Sequence, residues 1–172
     1  MLFRSRIVLG DTLLREFTAD EIETVMAHEL GHHVTRDIPS GILMGSVLTL
    51  GGLYLAHLAL QAGMQRLAYL DPADPITLPL LAAVLGVYQL LTGPLENADS
   101  RWRERRADVY ALQATSNGPA YASALTRLAN QNLSEVDPPR MVEVLLFSHP
   151  ALKGRIARAV AFASAPTLAP AA

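Results

Sequence analysis

The sequence predicts a mainly α-helical fold in which a two-helix membrane hairpin interrupts a helical core that begins with a short strand. Three observations lead there. Two long apolar stretches, 42–60 and 76–95, lie near the middle of the chain. A Thr18-Ala19-Asp20-Glu21 start opens a helix-length segment before them. After the apolar stretches, proline and glycine divide the rest of the chain into further segments of helical length. The 172 residues suffice for one domain with an insertion. The expected division is residues 1–40 as the first half of the core, 41–96 as the hairpin, 97–164 as the second half and 165–172 as a disordered tail.

Composition sets bounds on function. Hydrophobic residues make up 51% and charged residues 17%, against typical values of about 45–50% and about 25%. Mean hydropathy is +0.24. The net charge of -2 gives no bulk attraction to nucleic acid, so none is expected as a partner. With no cysteine, disulfides and thiolate metal sites are excluded. Any zinc must be held by His, Asp or Glu.

The segment Arg6-Ile7-Val8-Leu9 reads as a short strand, closed by a Gly10-Asp11 turn. Met1 to Gly10 lacks a long apolar core and does not read as a secretory signal. Thr12 to Phe17 is one or two helical turns. Thr18 and Glu21 form a capping box, each side chain satisfying a free amide of the other. The helix they open is expected to run from Ala19 to about Arg36, with Ile22, Val25 and Met26 inward and Pro39 and Gly41 ending it.

Residues 42–60 carry no formal charge. As a helix they span about 28 Å, close to the hydrocarbon thickness of a bilayer. Gly45, Gly51 and Gly52 suit close packing of membrane helices. The second stretch, 76–95, contains Pro79, Gly86, Gly93 and Pro94, and a loop with Asp71-Pro72 and Asp74-Pro75 joins the two. The same lengths fit a pair of buried core helices in a soluble protein. As a hairpin, the connection carries Arg66 alone, whereas Arg36, Arg101, Arg103, Arg105 and Arg106 flank the other side. The positive-inside tendency makes that side cytoplasmic. A hairpin returns the chain to the side it left, so residues before Pro39 and after Leu95 can share one site. The arginines after the hairpin read as partners of lipid headgroups and of acidic residues.

Asn97 to Thr115 is the next expected helix, ended by Asn117-Gly118. Pro119 opens another, with Tyr121, Leu125, Leu128 and Ala129 as its apolar face. Beyond it come a loop from Glu135 to Pro139, a short helix from Met141 to Phe147 and a helix from Pro150 to about Ala163.

The chemistry lies in two of these helices. Ala27-His28-Glu29-Leu30-Gly31-His32-His33 contains an H-E-x-x-H match. Residues four apart share a helix face, so His28 and His32 aim two imidazoles at one point. Two neutral imidazoles can hold Zn²⁺, and Glu29 beside them can take a proton from water there. An amphipathic helix with a charged face has the same pattern. His33, about 100° away around the helix, cannot easily share the metal. A catalytic zinc also needs a third protein ligand. Glu104 and Asp108, four apart, can supply a carboxylate ligand and an acceptor for the far N–H of a ligand histidine. Ala107 leaves room for close helix packing. Taken alone, a Glu–Asp pair amid arginines reads more readily as a solvated charged face.

H-E-x-x-H followed by N-x-x-S-R-x-x-E-x-x-A-D resembles the membrane-bound zinc metalloproteases of the HtpX and CAAX-prenyl-protease type, a gluzincin group. Asn97, Ser100, Arg101, Glu104, Ala107 and Asp108 match every fixed position of the second motif. The resemblance runs from about Ile7 to Arg158 and includes the hydrophobic hairpin. It implies a zincin-like helical metalloprotease core with one zinc ion held by His28, His32 and Glu104. Glu29 is then the general base, and Asp108 supports a ligand histidine. Ser148-His149-Pro150 with Arg155 resembles the family's late H-P segment, in which the histidine and a following arginine are thought to stabilise the tetrahedral intermediate. His149 and Arg155 are catalytic by that resemblance; His149 as an ordinary residue at a helix start is the alternative.

The resemblance further implies a peptidase acting on proteins or peptides in quality control of membrane proteins. It places the chain in the bacterial inner membrane as a multi-pass, lipid-contacting protein. Family members carry further membrane helices and a cleft-edge strand before the segment equivalent to Ile7-Val8-Leu9, and this sequence starts almost there. A truncated or minimal member, or a partner chain completing the substrate cleft, is the resulting expectation. Two rival readings stay open. One is a metal-stabilised membrane module that binds a partner without cutting, and the other a soluble helical bundle with an accidental motif.

Overall fold

A computed structural model describes residues 8–67 and 75–164. Most of the expected connecting loop, Arg6 and Ile7 of the expected strand, and the expected disordered tail lie outside them. The described residues form seven α-helices and no strand: α1 Asp11–Glu16, α2 Ala19–Val34, α3 Asp37–Leu67, α4 Leu78–Thr115, α5 Gly118–Gln131, α6 Arg140–Leu146 and α7 Leu152–Ser164, with a 3₁₀ turn at Pro75–Thr77 before α4. The short N-terminal strand is therefore not found at Val8 and Leu9, which are irregular. A strand needs a neighbour to take up its amides and carbonyls, and no partner strand is found among the described residues.

Two compact units are built from alternating parts of the chain. One takes the described residues of 1–35, 103–139 and 150–172; the other takes those of 36–102 and 140–149.

In the first unit, α2 begins at the reciprocal cap expected from the sequence. The Thr18 amide donates to Glu21 Oε2 at 2.8 Å, and the Glu21 amide donates to Thr18 Oγ1 at 3.3 Å. Such a cap contributes about 1 kcal/mol. The other Glu21 oxygen accepts from Ser123 Oγ at 2.6 Å and Arg127 Nη2 at 3.4 Å, which ties the start of α2 to α5. The inward face of α2 differs from the apolar stripe. Glu21, Thr24, Ala27, His28 and Gly31 are buried, whereas Ile22, Val25 and Met26 are only half-buried. The reason is that the neighbours on this face present polar groups. The core itself is Ala27, Ala111, Leu112, Tyr121, Ala122, Leu125 and Ala159, with Leu152 and Ile156 against it. Its many alanines let helices pack closely without leaving voids.

α2 ends at Val34, and Arg36 takes a left-handed φ of 55°. Pro39 does not mark the break; it is the third residue of α3. A proline ring clashes with the carbonyl four residues earlier in a continuous helix, and the turn near Thr35 relieves that clash. Within the first turn of α3 its missing N–H costs nothing, because that amide would have no helical partner.

The second unit contains α3 and the first part of α4. Both helices are long and apolar enough to cross a membrane, with hydropathy of 1.7 in each case. Only 11% and 6% of the two apolar windows are buried, which separates them from the core helices of a soluble protein. Ile42, Leu43, Val47, Leu50, Leu90 and Leu91 are all exposed. The two helices meet where the Tyr88 hydroxyl donates to the Leu48 carbonyl at 2.7 Å. The Tyr88 ring lies so close to Gly52 that a Cβ there would stand 2.9 Å from it, so glycine is what permits this contact. α4 does not stop at Gly93-Pro94. It runs on through Pro94 to Thr115, so the expected second hairpin helix and the helix bearing Glu104 are one element. A proline within a helix removes one hydrogen bond, which a long helix can absorb.

Candidate metal centre

The first unit brings His28 and His32 of α2 against Glu104 of α4. Gly31, on the face of α2 between the two histidines, makes this possible. A Cβ at Gly31 would lie 3.0 Å from the Cα of Ala107, so the two helices touch backbone to backbone. At that separation a glutamate one turn before Asp108 reaches both imidazoles. His28 Nε2 and His32 Nε2 are 3.2 Å apart. Glu104 Oε2 is 3.4 Å from His28 Nε2, and Glu104 Oε1 is 3.4 Å from His32 Nε2. Three donor atoms, one from each residue, lie within 4.8 Å of one another.

These spacings test whether the residues fit zinc. Ligand bonds of about 2.0–2.1 Å at tetrahedral angles place neighbouring donor atoms about 3.3 Å apart. The imidazole separation of 3.2 Å is close to this, and the two oxygens of the Glu104 carboxylate each face one imidazole at 3.4 Å. The donor set of two imidazoles and one carboxylate is a known zinc set, and the absence of cysteine removes the thiolate alternative. The group fits the site.

Behind the triad lies a buried polar network. His28 Nδ1 faces Asp108 Oδ1 at 3.2 Å and the Tyr121 hydroxyl at 3.0 Å. Tyr121 donates to Asp108 Oδ1 at 2.6 Å. Arg155 grips the same carboxylate with two bonds, Nε to Oδ2 at 3.0 Å and Nη2 to Oδ1 at 2.6 Å. Its Nη2 also donates to the Tyr121 hydroxyl at 3.1 Å, and its Nη1 lies 3.3 Å from Glu104 Oε2. Arg158 Nη2 reaches Asp108 Oδ2 at 3.5 Å from the exposed side. A carboxylate so held can fix the ring of His28, leaving Nε2 directed at the triad.

The electrostatics favour positive charge in the triad. Burial by itself would lower the pKa of His28, but hydrogen bonds to Asp108 and Glu104 outweigh it and push the value up to about 9. Arg155, buried, and Arg158, at the exposed side, face the Asp108 carboxylate that holds His28. Burial likewise pulls on Arg155, yet Asp108 beside it raises its pKa, so it stays charged. Burial raises that of Tyr121, which stays a neutral phenol able to donate.

The remaining sequence-predicted residues are placed in different surroundings. Glu29 adjoins His28 on α2 and is exposed. His33 is exposed too. His149 belongs to the second unit, is exposed, and has Ser148 Oγ 3.0 Å from its Nδ1. Arg155 stands beside the triad, buried, with its donors directed at Asp108, Tyr121 and Glu104. Two members of the network are not apparent in the sequence. Tyr121 sits in an apolar stripe of α5 and reads there as plain core. Arg158 carries no motif.

The pattern that defines peptidase family M48 matches residues 1–163. The chain is 33% identical over 165 residues to "Uncharacterized metalloprotease YhfN" of Bacillus subtilis, a match covering 94% of this chain and 39% of that protein. It is 31% identical over 173 residues to "Protease HtpX homolog" of Campylobacter concisus, covering 88% of this chain and 58% of that one. The chain thus spans between two-fifths and three-fifths of the length of these relatives. Among solved structures, Ste24p of S. mikatae superimposes with a TM-score of 0.73 at 26% identity, covering 91% of this chain and 39% of that chain.

Proposed function

This chain belongs to peptidase family M48, and on that footing we propose that it is the catalytic part of a membrane zinc endopeptidase. The observation that carries the reading is the convergence of His28, His32 and Glu104, with one donor atom of each within 4.8 Å of the others. His28, His32 and Glu104 would hold one zinc ion. Zinc, when bound, supplies a Lewis acid that polarises the scissile carbonyl and makes a water more acidic, to a pKa of about 7.

The chain's own residues do the rest. Glu29, adjoining His28, accepts the proton of the attacking water and delivers it to the leaving amine. Asp108 orients His28 through Nδ1, and Tyr121 and Arg155 hold Asp108 in place. His149 donates to the developing oxyanion. Arg155, with its donors on Asp108 and Glu104, acts by placing those carboxylates; the oxyanion role suggested for it by resemblance then falls to His149 alone.

The exposed apolar faces of α3 and α4 support a setting in lipid. Arg36, Arg101, Arg103, Arg105 and Arg106 outnumber Arg66, which supports a cytoplasmic site in a bacterial inner membrane, with peptide or unassembled membrane-protein substrates.

Glu29→Gln tests the reading. It keeps the ligand set and removes the base, so the purified variant is expected to retain zinc and lose hydrolysis of casein. Casein cleavage at the parental rate would show that Glu29 is not the base. Stoichiometric zinc in the parent with no cleavage at any casein concentration would favour the partner-binding module instead.

A further inference from the structure

The metal site does not account for Asn97 and Arg101, the first part of the N-x-x-S-R-x-x-E-x-x-A-D motif. They stand four apart on α4, on one face. By sequence alone Arg101 groups with the arginines that meet lipid headgroups. It is instead buried, at 7% exposure. Its Nη1 donates to two carbonyls, those of Glu143 at 2.9 Å and Phe147 at 2.6 Å. Asn97 Nδ2 donates to the Leu145 carbonyl between them, at 2.8 Å. All of these residues belong to the second unit.

The three carbonyls form the end of α6 and its exit. Carbonyls in the last turn of a helix lack helical partners and are satisfied by caps, side chains or water. Here the Leu145 and Phe147 carbonyls are met by side chains of another helix, while the Glu143 carbonyl accepts from both Arg101 and the Phe147 amide, the latter at 3.2 Å; the Arg101 guanidinium carries a full positive charge at the negative end of α6. α6 has only seven residues and none of them is buried, so apolar packing does little to fix its end. Phe147 is two residues before His149, and Ser148 Oγ contacts the His149 ring at 3.0 Å.

We infer that Asn97 and Arg101 are positioning residues for His149, clamping the end of α6 so that the segment 147–149 leaves it in one fixed direction. The inference rests on the reading of His149 as the oxyanion donor. It gives the spacing of the motif a physical division: Glu104 and Asp108 serve the metal side, and Arg101 and Asn97, about one and two turns earlier, serve the segment that carries His149.

The test is steady-state cleavage of labelled casein by the full chain in detergent, for Arg101→Ala, Arg101→Lys, Asn97→Ala, His149→Ala and the Arg101→Ala/His149→Ala double variant. Misplacing a catalytic group by about 1 Å can cost on the order of a hundredfold in rate. Arg101→Ala is expected to lower kcat by about that factor, with KM and bound zinc unchanged. Arg101→Lys, which keeps a charged donor, recovers part of the loss. In the His149→Ala background, Arg101→Ala lowers kcat no further than about twofold, because the two changes remove one interaction. Asn97→Ala removes a single bond and serves if Arg101→Ala does not fold; its loss also disappears without His149. An equal fractional loss with and without His149 overturns the inference, as does full kcat in Arg101→Ala when His149→Ala is impaired. Full kcat in His149→Ala instead overturns the oxyanion role on which the inference stands.

Discussion

Gly31 and Ala107 lie so close that any side chain at Gly31 would meet the backbone of the facing helix: a Cβ there would be 3.0 Å from Ala107 Cα and 3.3 Å from Tyr110 Cβ. The contact sets the distance between the histidine helix and the glutamate helix, and so the spacing of the three donors.

Gly31→Val should therefore separate α2 from α4. Overpacking of this kind costs about 1–3 kcal/mol. The expected outcome is a lower unfolding temperature together with weaker zinc binding, measured by chelator competition. Unchanged zinc affinity would mean that the close approach is not what sets the ligand spacing.

Tyr121→Phe removes one hydroxyl from the network and leaves the Arg155–Asp108 pair standing. Loss of a partner that orients a ligand histidine typically weakens metal binding about 10- to 100-fold. Zinc affinity is expected to fall by about that range while helicity by circular dichroism is unchanged. Parental affinity would show that Asp108 alone suffices to fix His28.

Glu21 gives a pH prediction that does not involve the metal. Burial acts to raise its pKa, but hydrogen bonds from Ser123, Thr18 and Arg127 prevail and hold it below the ordinary value of 4.5. A carboxylate depressed on folding stabilises the native state above its unfolded pKa, and that contribution disappears as pH falls through 4.5 toward the folded value. Glu21→Gln can keep the capping box but not the charge. The variant should unfold at a lower temperature than the parent at neutral pH, with the difference shrinking below pH 4.5. A difference that persists undiminished in strong acid would contradict the assignment.

These residues also show how far the fold can be read from sequence. The Thr18–Glu21 cap is legible because both partners are local and the geometry comes from the helix start. The shared helix face of His28 and His32 is legible for the same reason. The pairing with Glu104 is suggested by its motif, but it depends on α2 meeting α4, which no local rule dictates. Continuity of α4 through Pro94 is hidden because proline reads as a stop, although a long helix can absorb the lost hydrogen bond and the local strain of the ring. The inward face of α2 escapes apolar periodicity, which marks greasy residues, whereas here the neighbours offer Ser123, Arg127, Glu104 and Asp108. Tyr121 and Arg101 are hidden in opposite ways. A buried tyrosine in an apolar stripe looks like packing, and a buried arginine among exposed ones looks like surface; only tertiary contacts reveal the partner of each.

Catalysis as proposed requires that His28, His32 and Glu104 bind one ion together. Metal analysis of the purified parent beside Glu104→Ala, both dialysed against a weak chelator, decides it. One zinc per parent chain, with the variant nearly empty yet still helical, is the predicted result. A variant that retains zinc at the parental ratio, or a parent that holds none, would contradict it.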